Sequence, residues 1–185
     1  MSNDPSQLLS IMSNRNCNTR ILSIDPGYAN MGMASVIFDA TKNTAMVTSI
    51  DIVTIGNKKS RDLSLIDNMT HYLETRVKGK YDCCVIEKQG GFAQTKVIRI
   101  EQHITTMLQH VYNIPVYIFS PKLRNRIKNK EEDTAKWLTE SAEHTLINCA
   151  PQELLIKFRT MTPKQKTDIG AAITQISYLL GIINS

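Results

Sequence analysis

Cysteine is scarce in this chain. It occurs four times in 185 residues, at positions 17, 83, 84 and 149, with no CxxC pair. A zinc centre therefore lacks its usual ligand spacing. Cys83 and Cys84 are adjacent inside an apolar run and would point to opposite faces of one strand. Reduced, buried thiols in an intracellular protein are the expectation. Long hydrophobic runs are also missing: no stretch suffices to cross a bilayer, so no membrane partner is expected. Residues 1–19 lack the apolar core of a secretion signal and read as a flexible polar tail, with Arg15 and Arg20 leaving a weak organellar presequence as the alternative. No GxGxxG follows the first apolar run and no GxxxxGK[ST] occurs, which removes dinucleotide binding and P-loop chemistry. Internal repeats and low-complexity blocks are absent as well.

What is present suits one domain, residues 20–185, long enough to bury a sizeable core. Apolar residues make up 42% and charged residues 21%, values ordinary for a globular chain. The net charge is +5 and the pI about 9.0, a mild lean toward a polyanionic partner. Its distribution matters more than its size. The stretch 121–130, PKLRNRIKNK, carries Lys122, Arg124, Arg126, Lys128 and Lys130 with no acid, and so equals the whole net charge.

Apolar patterning predicts strands over 21–25, 31–39 and 45–55, joined by hairpin-length connections into a meander. The period then changes. Apolar residues at 63, 66, 69 and 73 predict a helix over 61–78. YDCCVIE, 81–87, predicts a strand buried on both faces. Val97, Ile100, Ile104, Met107, Leu108 and Val111 share a stripe in a helix over 93–111. A strand over 115–119 and helices around 132–148 and 164–182 complete the pattern. Three antiparallel strands followed by alternating helix and strand specify a mixed α/β fold.

Two of these strands end in acid: Asp25 before Pro26-Gly27, and Glu87 before Lys88-Gln89-Gly90-Gly91. Residues that close neighbouring parallel strands emerge on one sheet edge, where sites collect. Asp168, expected in the first turn of the last helix, would join them if that helix crosses the edge. Three converging carboxylates repel one another and need a cation. Hard oxygen ligands suit Mg²⁺ or Mn²⁺, and two such ions about 3.5–4 Å apart would activate water against a phosphodiester. Each acid also has a bland reading. Asp25 in DPG also reads as a turn residue, Glu87 as a solvated rim residue, and Asp168 as a first-turn acid serving the helix macrodipole. Their order and element pattern together favour the site.

These segments resemble the RuvC-like Holliday junction resolvases of the RNase H-like superfamily, in the branch found in poxviruses and fungal mitochondria. ILSIDPGYANMGMA, 21–34, resembles that family's opening strand, and VIEKQ, 85–89, its second acidic strand end. IFSPKLRNRIKNK, 118–130, resembles the strand followed by Ser-Pro and a basic loop. KTDIGAAI, 166–173, resembles the opening of its final helix. The resemblance implies an RNase H-like fold, metal ligands at Asp25, Glu87 and Asp168, and a functional lysine best matched by Lys130. It implies a Mg²⁺- or Mn²⁺-dependent endonuclease that resolves four-way DNA junctions as a homodimer, in a host cytoplasm if viral or in a mitochondrion. One expected aspartate falls on Ala171, which cannot bind metal. Three accounts of Ala171 stand: an engineered inactive variant, a natural non-cleaving relative, or sufficiency of three carboxylates. The first is favoured, because the run around Gly170-Ala171-Ala172 is otherwise intact.

A phosphodiesterase must also hold its substrate's phosphates, and Lys and Arg supply that affinity independently of sequence. The basic stretch, together with Lys88, Lys96 and Arg99, is the expected surface. Gln89, Gly90 and Gly91 would allow close backbone approach, and Phe92 could wedge against bases at an opened junction or staple the following helix to the core. Two other functions compete. A non-catalytic branched-DNA-binding module is favoured by Ala171. An actin-like ATPase also opens with an Asp-Gly turn, but needs more phosphate loops than 8 glycines in 185 residues supply, so no nucleotide cofactor is expected.

Overall fold

The computed structural model describes residues 18–90, 94–121 and 133–181. Five strands form one sheet: β1 (Asn18–Asp25), β2 (Met31–Asp39), β3 (Thr44–Val53), β4 (Cys83–Glu87) and β5 (Val116–Phe119). Their spatial order is β3-β2-β1-β4-β5. β1, β2 and β3 are antiparallel neighbours, while β4 runs parallel to both β1 and β5. This is the mixed sheet that the sequence predicts. β1 starts inside the stretch expected to be tail: Asn18 and Thr19 already pair with Asp39 and Phe38.

Alternation decides which helices cover which face. On one face, Ile21, Val85, Tyr117 and Phe119 pack with Ile169, Ile173 and Ile176 of α5 (Pro163–Leu179) and with Ala142 and Leu146 of α3 (Thr134–Cys149). On the other, Leu22, Ile24, Cys84, Ile86 and Val116 pack with Leu65 and Met69 of α1 (Asp62–Tyr72) and Ile100 and Ile104 of α2 (Thr95–Thr106). Cys83 and Cys84 fall into the two different cores, as their adjacency in a strand requires. Each fully buried Ile or Phe here contributes about 1.5–3 kcal/mol of apolar transfer. Among the described residues, no helix is long and apolar enough to cross a membrane.

Three expectations are corrected. The seam of α1 runs through Leu65, Met69 and Leu73, and Leu63 is 77% exposed, so the stripe drawn through 63 and 66 lies off the true face. Both α1 and α2 continue into five-residue π-helical turns, Leu73–Val77 and Met107–Val111. An unpredicted helix, α4 (Gln152–Thr160), precedes α5. Phe158 of α4 is buried and Leu154 and Leu155 pack half-buried against the same core, while Lys157 Nζ to Asp51 at 2.8 Å and Arg159 Nε to Glu143 at 2.7 Å add polar ties.

Gly32 fixes where α5 crosses the sheet. A Cβ at Gly32 would lie 2.2 Å from the Asp168 backbone oxygen. Only glycine admits this approach, so helix and strand touch backbone to backbone. Gly32→Ala is therefore expected to destabilise the fold by about 1–3 kcal/mol through overpacking, read as a lower midpoint in urea with an unchanged slope.

Candidate metal and phosphate site at the sheet edge

Register places the acids. Ile24 pairs with Ile86 in the parallel β1–β4 ladder, so Asp25 and Glu87 close adjacent strands at the same level. Asp25 also pairs with Gly32. Directly opposed residues share a face, and the face of Gly32 is the one against Asp168. Asp25, Glu87 and Asp168 therefore meet one side of one sheet edge, beneath the start of α5. The turn beyond Asp25 is rigid: the Tyr28 carbonyl accepts N–H bonds from Ile55 and Gly56, both at 3.0 Å. A Cβ at Gly27 would meet the Asn30 oxygen at 2.4 Å, so this tight turn also demands glycine.

A capping box sets the register of α5. Thr162 and Gln165 exchange side-chain and backbone bonds, and Pro163 opens the helix. Asp168 consequently lies in the second turn, not the first. It is 4% exposed, which removes the reading of a solvated acid serving the macrodipole. Its Oδ1 accepts a hydrogen bond from Lys164 Nζ, and its Oδ2 is buried without a hydrogen-bond partner. Burial pushes its carboxyl up from the ordinary range, with Lys164 opposing.

Glu87 is also buried, and its Oε2 accepts from Gln175 Nε2 at 3.4 Å. Ser23 Oγ donates to Gln175 Oε1, also at 3.4 Å. Gln175 is 1% exposed and sits one turn along α5 from Ala171, on the edge that carries Asp168. Ala171 itself packs against Trp137 and Leu138 of α3. The segment leaving β4 is anchored twice. Lys88 N–H donates to Phe119 O at 2.8 Å, and Gln89 N–H donates to the Glu101 carboxylate at 2.9 Å. Glu101 is a buried acid on α2 whose carboxyl is raised by burial, with the Gln89 N–H and Lys88 opposing. Sequence reasoning missed Gln175 and Glu101. Neither stands at a strand end or in a motif, and only the tertiary fold reveals their partners.

An open cleft of about 350 Å³ is lined by Asp25, Tyr28, Gln89, Gln94, Lys164 and Asp168, among others. Tyr28 Oη donates to Gln94 Oε1 at 2.9 Å across it. Lys88 and Gly90 are exposed beside the β4 end. Lys96 and Arg99 both pair with Asp62, and Lys96 Nζ also donates to Ser60 O at 2.6 Å. Gly91, Phe92, Lys122, Arg124, Arg126, Lys128 and Lys130 lie outside the described residues.

Among the described residues, no three His, Cys, Asp or Glu side chains form a ready metal cluster. The expected convergence is thus one of edge and face, with the Asp168 and Glu87 oxygens turned to Lys164 and Gln175. The donor chemistry nonetheless fits a hard cation. The three candidate ligands are carboxylates, and one buried oxygen of Asp168 has no hydrogen-bond partner.

No family model matches the chain, and no curated protein matches it. Solved structures do. The fowlpox virus Holliday junction resolvase matches with a TM-score of 0.63 at 20% identity, covering 88% of this chain and 99% of that one. The yeast mitochondrial Holliday junction resolvase Ydc2 matches with a TM-score of 0.56 at 13% identity, over 97% of this chain and 89% of that one. Thermus thermophilus RuvC, solved with a Holliday junction substrate, matches with a TM-score of 0.52 at 15% identity, over 89% and 93%. The chain shares the RNase H-like fold of these resolvases, the fold that the sequence motifs led us to expect.

Two outcomes follow from the site's internal bonds. Gln175→Leu strips a donor from the buried Glu87 carboxylate and should cost about 1–3 kcal/mol, measured by urea unfolding. Glu101 has a raised carboxyl, so the folded state binds more protons than the unfolded state. Stability therefore falls as pH rises through that titration. Glu101→Gln keeps an acceptor for Gln89 and should be the more stable form at pH 7. The difference should vanish below the ordinary glutamate value of 4.5.

Proposed function

We propose that this chain is a structure-selective nuclease that acts on four-way DNA junctions with the help of divalent metal. The observation that carries this reading is the placement of Asp25, Glu87 and Asp168 on one face of one sheet edge, beside an open cleft of about 350 Å³, in a fold shared with junction resolvases. Asp25, Glu87 and Asp168 would hold Mg²⁺ or Mn²⁺, which when bound supplies a water nucleophile and charge stabilisation at the leaving oxygen. Two ions per site suit that chemistry. The turn pinned at Tyr28 holds Asp25 still, and Gln175 holds Glu87. Lys88 and the stretch containing Lys122, Arg124, Arg126, Lys128 and Lys130 would supply phosphate contacts, with Lys130 the candidate for charge stabilisation near the scissile bond. A junction has two-fold symmetry, so paired incisions call for a C2 dimer.

Ala171 favours a second reading, a branched-DNA-binding protein that does not cut. Its methyl lies against Trp137 and Leu138, on the helix edge that carries Asp168, so packing at this position is already satisfied without a carboxylate. The test is a labelled four-way junction incubated with Mg²⁺, run in parallel with this chain, Ala171→Asp and Asp25→Asn. The expected result is tight, salt-sensitive junction binding by all three folded forms. Nicking should be fastest for Ala171→Asp and lowered at least about 100-fold by Asp25→Asn. Junction binding with no incision by either of the first two forms would establish the second reading, and absence of any preference for a junction over duplex would end both.

A further inference from the structure

Lys164 stands one helical turn before Asp168, at the i,i+4 spacing at which side chains meet. Its ammonium donates to Asp168 Oδ1, while the buried Oδ2 has no hydrogen-bond partner among the described residues. Asp168 is 4% exposed as a residue, whereas the Lys164 side chain is 70% exposed and reaches in from solvent. Among the described residues that line the cleft, Lys164 is the cation, and Asp25 and Asp168 are the acids. A buried carboxylate needs a positive partner, and this one has been given a partner that can leave.

We propose that Lys164 is a stand-in cation, which neutralises Asp168 in the metal-free protein, yields that carboxylate to a divalent ion, and then binds a phosphate of the DNA lying in the cleft. This deepens the metal-nuclease reading and rests on it. Three features support the exchange. The lysine stem is long, flexible and mostly in water, so Nζ can swing away with little loss of packing. The capping box holds the α5 backbone in register whichever partner Asp168 takes. The freed ammonium stays at the cleft wall, where a phosphate oxygen is a suitable acceptor. The exchange forms and breaks only ionic contacts, with no bond order or oxidation state altered.

The inference separates two roles that ordinarily go together. A lysine that simply adds affinity for DNA has no claim on a buried aspartate. A lysine that simply pairs with that aspartate has no effect on salt-dependent DNA binding. The test titrates Mn²⁺ calorimetrically into the full chain, Lys164→Gln, Lys164→Arg and Lys166→Gln. Lys166 lies on the same helix with its ammonium over the Phe158 ring, and so controls for general charge. Lys164→Gln should bind Mn²⁺ about 2- to 5-fold more tightly, the equilibrium equivalent of losing a partly exposed ion pair, whereas Lys164→Arg and Lys166→Gln should stay near the parent. In a second arm, four-way junction binding is followed against salt with Ca²⁺ present. There Lys164→Gln should lower the slope of log affinity on log salt by about one contact, and without divalent ion it should leave the slope unchanged. Unchanged or weaker Mn²⁺ affinity in Lys164→Gln, or an equal gain in Lys166→Gln, overturns the exchange while leaving the metal site standing. If none of the proteins binds Mn²⁺, the exchange and the metal site fall together.

Discussion

The structure depends on one close contact, the crossing of α5 over β2 at Gly32. Backbone meets backbone there, because a Cβ would come within 2.2 Å of the Asp168 carbonyl oxygen. That crossing brings a helical acid to the strand that pairs with Asp25, and it sets the depth at which Ile169, Ile173 and Ile176 enter the core. A second close approach locks α5 to α3 on its far side, where a Cβ at Gly170 would lie 2.6 Å from the Leu138 backbone oxygen. The helix is thus clamped between sheet and helix by two glycines 138 positions apart in sequence. Every functional side chain it carries inherits that placement.

Burying acids at such a crossing is electrostatically unfavourable unless each is answered. The chain answers them differently. Asp168 has an ammonium on one oxygen and no hydrogen bond on the other. Glu87 receives a neutral amide that is itself bridged to Ser23 of β1. Glu101 takes a backbone N–H. The buried Ser23–Gln175–Glu87 chain joins β1, α5 and β4, so the three elements that carry the site are tied to one another by polar bonds as well as by the apolar core. Such a network rigidifies a site when its members are satisfied and leaves a reactive position where one is not.

The legible parts of this molecule are those written in local pattern. Apolar runs mark all five strands, with alternation and β-branching clearest in the third, and acids at strand ends mark Asp25 and Glu87. The capping box of Thr162 and Gln165 is equally local, and it starts the helix ahead of the 164 that the apolar pattern suggests, which moves Asp168 from the first turn to the second. What stayed hidden depends on partners distant in sequence. Gln175 reads as one polar residue in an Ala- and Ile-rich helix, and its role follows only from facing Glu87, 88 positions away. Lys96 and Arg99 read as a basic patch near Glu87, and their shared partner, Asp62 of α1, is one that local pattern does not show. The helix α4 is nine residues long, and its apolar face of Leu154, Leu155 and Phe158 spans too few turns to stand out as a period.

Position 171 shows how packing and chemistry separate at one residue. On α5 it lies between Asp168 and Gln175 along the edge that serves the site, yet its methyl contacts Trp137 and Leu138. A carboxylate there would face an apolar pair on one side and the acids on the other, and would therefore require a cation to be tolerated. Alanine removes both the requirement and one potential ligand. The remaining carboxylates then hold less negative charge, and the Lys164 ammonium and the Gln175 amide are among the groups that answer it. The stability of the metal-free fold and the strength of its metal site thus pull in opposite directions at this edge, and Ala171 sits on the side of the fold.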